Sequence, residues 1–292
     1  MANTLASDLI VDILAEQAMN TLPSRLSSLG VFSTDFSNER SQRSGSGPRQ
    51  TIQVELNSTA GSALENPTNF EVTSAVDSAV NVVMNHISRP VGLSVQDLNQ
   101  GRRLLTKATK ALESVSTAVM DVAMALVTET NYTTGPIDAS GGFDDAILKE
   151  AWAAISDGVQ KNIVLNGESY SKFLPSKMDE FDPTKMQGGI FGFDNFAYNN
   201  RFGAAGDDII GFSCSPGAMA VAAMLPADPG DAKDRDYIAS DVVTVDPLGI
   251  SVEFNVWFSR ATRGHWMSYD VVFGAGVGDS SALIPISSAS QT

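Results

Sequence analysis

The sequence predicts an α+β fold, and three observations carry that reading. Leu5, Ala6, Leu9, Ile10, Ile13, Leu14, Ala18 and Leu22 recur at three- and four-residue steps, the mark of an amphipathic helix. A second such series, Leu104, Ala108, Ala111, Val115, Val119, Val122 and Leu126, is long enough for a spine. Near the C-terminus the period changes to two: Ile250, Val252, Phe254, Val256 and Phe258 alternate with polar neighbours, as in a strand. With 292 residues, 43% of them hydrophobic and 18% charged, the chain can bury the core of one or two domains.

The first helix, over residues 4–22, is expected to end at Pro23 and needs a surface to lie on. Between Ser24 and Arg49 the composition turns to Ser, Gly, Asn and Arg, with Arg25, Arg40, Arg43 and Arg49 outnumbering Asp35 and Glu39. This reads as an extended, partly mobile arm. Ile52, Val54 and Leu56 then alternate with polar residues, as do Phe70 and Val72 beyond the small, polar stretch 58–67, which predicts a long hairpin. An isolated two-stranded hairpin is marginally stable in water, so a neighbouring molecule is expected to hold it. A strand follows over residues 76–90. Ser94 and Asp97 resemble a helix start, with the carboxylate in the first turn at the positive end of the dipole. The spine helix is expected from Ser94 to Glu129, about 54 Å at 1.5 Å per residue. Gly101 is a weak point near its start, costing about 1 kcal/mol relative to Ala. Ala and Val fill the seam and flanking charges follow no code, which favours a single packed helix over a coiled coil. Residues 141–246 are mixed, with a helix over Asp144 to Ser156, a strand over Asn162 to Leu165, and shorter pieces split by Gly and Pro. A turn over Arg260 to Gly264 and strands over Trp266 to Phe273 and Ala282 to Ile286 close the chain.

Acidic residues exceed basic ones, 34 against 19, for a formal net charge of −15. Gripping nucleic acid through a broad basic surface is therefore excluded as the main task. The charge is uneven: residues 138–246 hold 18 Asp and Glu against 8 Lys and Arg, whereas Arg89, Arg102, Arg103, Lys107 and Lys110 surround a single Asp97. One cysteine, Cys214, forbids an internal disulfide, and with His86 and His265 it is too little for a four-ligand zinc site. Cys214 is expected to be a buried, inert thiol. The apolar windows 115–127 and 218–225 fall short of the roughly 20 residues a membrane span needs. The N-terminus has no signal-peptide pattern, so a soluble intracellular protein is expected. Gly274 to Gly278 imitates a dinucleotide fingerprint, but too little chain follows for the helix and second strand that motif needs, and a turn between strands is expected. The paired acids Asp144-Asp145 and Asp207-Asp208, and the acids from Asp228 to Asp236, lack calcium-loop spacing and read as solvated loops. His86 and His265 have no nucleophile motif beside them and read as packed or edge residues. No catalytic, cofactor-binding or metal-binding residue is assigned, no cofactor is expected, and the chain is expected not to be an enzyme. A surface devoted to contacts makes self-association the leading class.

In this order, the features resemble the major capsid protein of tailed bacteriophages, whose fold is shared with encapsulin shells and the floor of herpesvirus capsids. Local strings agree: Asn162 to Asn166 leading to Tyr170 and Leu174 is similar to the opening of the family's axial domain, and Gly189 to Phe193 to its glycine-containing strand. Ile210-Gly211-Phe212 through Pro216, Ala218 and Pro226 is similar to its strand-to-helix segment, and Val245 to Phe258 with Phe273 to Ala275 to its closing strands. The resemblance implies an N-terminal helix and arm (1–49), an extended loop hairpin (50–75), a peripheral domain with the spine helix (76–137), a mixed α/β axial domain (138–244) and peripheral return strands (245–292). It implies a subunit that assembles as hexamers and pentamers into an icosahedral shell around the double-stranded DNA of a tailed phage, a virion component assembled in the host cytoplasm. Arg40, Arg43, Phe70, Arg102 and Arg103 are the expected inter-subunit contacts. About 50 residues precede the hairpin, so the scaffolding protein is expected to be separate, alongside a portal and a decoration protein, with DNA bound without sequence specificity and no membrane involved. Residues 50–75 contain no Lys, so a covalent cross-link from the extended loop is not expected. Two other readings stand beside it: an encapsulin-type compartment shell, and a carboxylate-dependent metal hydrolase using the acids near Asp207.

Overall fold

Helix α1 (Ser7–Leu26) lays Ile10, Leu14, Ala18, Leu22 and Leu26 in one buried stripe at four-residue steps. That stripe is rotated from the expected face: Leu9 is 46% exposed, and Leu5 lies outside the described residues. Nor does the helix stop at Pro23, which sits inside its last turns. Proline removes one intrahelical donor, but the carbonyl it leaves is that of exposed Met19, and Leu22 and Leu26 fasten the helix end to the core. The computed structural model describes residues 6–41, 50–56, 79–156, 160–172, 192–202, 208–227, 235–246 and 248–288.

An extended, partly mobile arm was expected from Ser24, but α1 and a 3₁₀ turn (Ser27–Val31) carry the chain on in helical form, and strand β1 (Ser33–Arg40) is then paired into the first sheet, Ser33 opposite Ala220. Strand β2 (Thr51–Glu55) pairs antiparallel with β3 (Ala79–Val83), Thr51 opposite Val83 and Glu55 opposite Ala79. The strand expected at Phe70 to Thr73 lies outside the described residues. Residues 76–90, expected as one strand, hold β3 and then β4 (Asn85–Ser88), followed by β5 (Val91–Leu93).

The spine is two helices, α2 (Val95–Asn99) and α3 (Gly101–Met124), where one was expected to Glu129. Gln100 is extended (φ −129°, ψ 101°) and its carbonyl accepts the Arg103 and Leu104 amides, so it ends one helix and starts the next. The weak helix former Gly101 marks the break. Ser94 and Asp97 form a complete capping box on α2. Lys107 of α3 reaches back to Asp97 Oδ2 at 2.8 Å, holding the two helices folded together.

The first sheet runs β1, β10 (Met219–Leu225), β13 (Gly264–Val277), β12 (Ile250–Ser259), β11 (Arg235–Val245), with β4 and β5 also paired to β13. β10 corrects the strand-to-helix reading of this segment. Only a 3₁₀ turn (Pro216–Ala218) precedes it, and the apolar run is that of a central strand buried on both faces. One face of the sheet, carrying Val252, Phe254, Val256, Met267, Tyr269, Val271 and Phe273, packs under α1 and α3. Tyr269 fixes α1 from below through its hydroxyl, which donates to the Leu14 carbonyl at 3.0 Å. On the opposite face Ala220, Ala222, Met224 and Val272 meet Val54, Val82 and Met84 of the hairpin root.

The second sheet runs β6 (Ile137–Asp138), β14 (Leu283–Ser287), β9 (Ile209–Cys214), β7 (Asn162–Leu165), β8 (Asn195–Tyr198). Helix α4 (Asp145–Ala154) covers it, its N-terminus capped by Asp144. The short α5 (Gly167–Ser171) follows β7. Three strands join sheets across the division drawn at residues 244 and 245: β10 and β11 lie in the first sheet and β14 in the second. β9 and β10, separated by one 3₁₀ turn, link the two sheets.

The string Gly274 to Gly278 is not a turn: Gly274 and Gly276 lie within β13, under the hairpin. A Cβ on Gly274 would stand 2.5 Å from the Val83 carbonyl oxygen, and one on Gly276 would stand 2.7 Å from Val80 Cγ1. These glycines let β3 cross β13 at backbone distance.

Candidate subunit interface

The paired strands β2 and β3, seated on the first sheet, supply one candidate surface. Val82 is fully buried against β10 and β13, while its neighbour Val83 is 43% exposed, so alternation along β3 grips the core with one face and offers the other to solvent.

Helices α1 and α3 supply a second surface, on the far side of the first sheet. Asp8, Asp12 and Glu16 are exposed along α1 at four-residue steps. Arg102, Arg103 and Lys110 are exposed on α3, with Leu105 among them at 40%. Arg103 donates to Gln96 Oε1 at 2.7 Å. Lys107 is engaged inward, with the Gly92 carbonyl oxygen at 2.6 Å and Asp97. Burial opposes ionisation of Asp97, but the Lys107 ammonium and the Ser94 amide and hydroxyl prevail and hold its carboxyl down at about 2.

The remaining expected contacts are dispersed. Arg40, at the end of β1, turns into its own chain: its Nη1 donates to Glu253 Oε2 at 2.6 Å and to the Pro226 carbonyl at 3.2 Å. Arg43 and Phe70 lie outside the described residues. The structure thus brings Arg102 and Arg103 together on one helix and sets Arg40 apart from them.

The polar group around Glu253 was not legible in the sequence. Glu253 and Asp270 are direct cross-strand neighbours on β12 and β13, 3% and 7% exposed. Asn255 donates to Glu253, Ser268 to Asp270, and His86 Nε2 lies 3.1 Å from Asp270 Oδ1. Alternation marks Glu253 as facing away from Phe254, and only the packing above it shows that this face is covered. Cys214 is buried as expected, and burial pushes its thiol well above the usual range. His265 packs edge-on against Phe258, their ring centres 5.1 Å apart. Asp207 lies outside the described residues; among the described residues no three His, Cys, Asp or Glu side chains gather as a metal-ligand set. No described helix is long and apolar enough to cross a membrane.

No family model matches the sequence, and no curated protein matches it. Solved structures do match the fold. A virus-like particle from Pyrococcus furiosus superposes with a TM-score of 0.54 at 11% identity, over 96% of this chain and 98% of the other. The capsid of an empty GTA particle superposes with a TM-score of 0.51 at 12% identity, over 91% of each chain. The chain shares the α+β fold of these two particle proteins.

Proposed function

We propose that this chain is the major capsid protein of a tailed phage, a structural subunit without catalytic activity that assembles as hexamers and pentamers into a closed shell around double-stranded DNA. The observation that carries the reading is end-to-end agreement of fold with particle-forming proteins, 96% of this chain against 98% of the virus-like particle chain. A strand pair seated on a glycine-lined strand, with one face left outward, offers a surface of the kind a tiled shell needs. In this reading Arg102 and Arg103 meet a neighbouring subunit, and Arg43 and Phe70 belong to segments that do so too. Assembly takes place in the host cytoplasm with a separate scaffolding protein and a portal, and a decoration protein completes the virion.

Electron microscopy of the purified protein, alone and co-expressed with the scaffolding protein of its genome, tests this directly. Closed icosahedral particles that package DNA support it. Particles filled with an enzyme cargo would reassign the chain to a cellular compartment, and a subunit that forms no shell under any of these conditions would overturn the proposal.

A further inference from the structure

The β2–β3 pair is flanked in the chain by two anchored strands. On its entry side β1 ends at Arg40; on its exit side β3 is followed directly by β4, which carries His86. Both side chains converge on the same two carboxylates: Arg40 Nη1 lies 2.6 Å from Glu253 Oε2, and His86 Nε2 lies 3.1 Å from Asp270 Oδ1. Glu253 and Asp270 are partners across β12 and β13, almost fully buried, and like charges directly opposite in a sheet repel one another. Each carboxylate therefore needs its cation, and the two cations come from β1 and β4, the strands that precede β2 and follow β3 in the chain. From this convergence we infer that Glu253 and Asp270 form a two-point latch that fixes the hairpin root, and that its exit-side half weakens as His86 loses its proton.

Every element around the latch contributes a charged or titratable group. β13 presents Asp270, β12 Glu253 and β1 Arg40, while Arg235 and Tyr237 of β11 line the 170 Å³ cavity that His86, Glu253 and Asp270 share. Arg235 is turned aside onto the Trp257 ring, 4.8 Å from its centre. His86 is raised above its ordinary 6.5 chiefly by its hydrogen bond to Asp270, which together with the negative charges of Asp270 and Glu253 outweighs its partial burial. Burial opposes ionisation of Asp270, yet hydrogen bonds from His86, Ser268 and Ser88 keep its carboxyl below the ordinary 3.8. The contribution of His86 is complete below 6.5 and lost as pH rises through its raised value; that of Asp270 is complete above 3.8 and lost as pH falls through its lowered value. Between those limits the latch is closed.

The latch depends on the shell reading only for what the hairpin meets outside the subunit, and amide hydrogen exchange on the full-length unassembled chain tests it separately. Wild type, His86→Gln and Arg40→Gln are compared at about pH 5.5 and about pH 8, after correction for intrinsic exchange. His86 is half-exposed, so Gln keeps a donor there without touching the core. In wild type, exchange across residues 79–88 should rise by about two- to fivefold at the higher pH, the range of a partly screened ion pair, while β12 does not change. His86→Gln should abolish that difference, and Arg40→Gln should raise exchange across residues 33–41 and 50–56 at both pH values. A His86→Gln protein that keeps the wild-type pH difference, or an Arg40→Gln protein with unaltered exchange, overturns the latch. Failure of the chain to form particles would leave this result standing.

Discussion

Gly274 sets how closely the hairpin can approach the sheet, because the obstacle to any side chain there is backbone. A flexible neighbour could move aside, but the Val83 carbonyl, 2.5 Å from where a Cβ would be, belongs to the paired ladder of β2 and β3. Gly274→Val should therefore lift the root of the hairpin and destabilise the subunit by about 1–3 kcal/mol, the usual cost of overpacking. Urea unfolding checks it, and a wild-type midpoint would mean that β3 does not sit on β13. Asp97 allows a second residue-scale prediction, with a pH signature. Its carboxyl is lowered from 3.8 to about 2, so the stability it adds is complete above 3.8 and lost as pH falls through about 2. Asp97→Asn should cost about 1–2 kcal/mol at neutral pH, the size of a lost cap, and the deficit should shrink on acidification below that range. Urea midpoints measured across pH decide it; a deficit constant with pH would show that the Asp97 charge is not the cause.

At the level of elements, local pattern was readable and long-range pairing was not. α4 and β7 fall where the apolar pattern places them, and the buried positions of α3 include the whole apolar series from Leu104 to Val119. The partner of β2 is set by tertiary contact, since Val80 and Val82 are selected by the small residues of β10 and β13 beneath them, far along the chain. For the same reason Glu253 reads as a solvent-facing residue until β1 and β4 are seen to cover it. The break at Gln100 was signalled only by Gly101, and Asp97 gains its hold on α3 through Lys107, ten residues away. α1 was legible as a helix but not in its facing: Leu14 is fully buried on a helix that packs against α3 and β11, where Leu9 was expected to share the burial. Leu14→Ala should cost about 2–5 kcal/mol of subunit stability, because the surrounding helices and sheet can close only part of the cavity. A loss near that of an exposed leucine, measured by denaturant unfolding of unassembled subunits, would place the α1 seat on another chain.

Across the whole molecule, charge and architecture divide the surface. The net charge of −15 sets identical subunits against one another, so a shell built from them needs local attraction wherever two copies meet. Two charged strips are available on the helical side of the first sheet: Asp8, Asp12 and Glu16 along α1, and Arg102, Arg103 and Lys110 along α3. In the shell reading the basic strip meets acid on a neighbour. Replacing Arg102 and Arg103 together by Glu should then raise the protein concentration needed for assembly by about fivefold at low salt, roughly 1 kcal/mol per contact. The defect should narrow as added salt shortens the screening length from about 30 Å at 0.01 M to about 8 Å at 0.15 M. Both side chains are exposed, so the unassembled double variant should unfold with wild type, which separates an assembly defect from a folding one. Light scattering across a salt series reads the outcome. Assembly equal to wild type at every salt concentration would make the strip an ordinary solvated helix face and move the subunit contact to the hairpin side of the sheet.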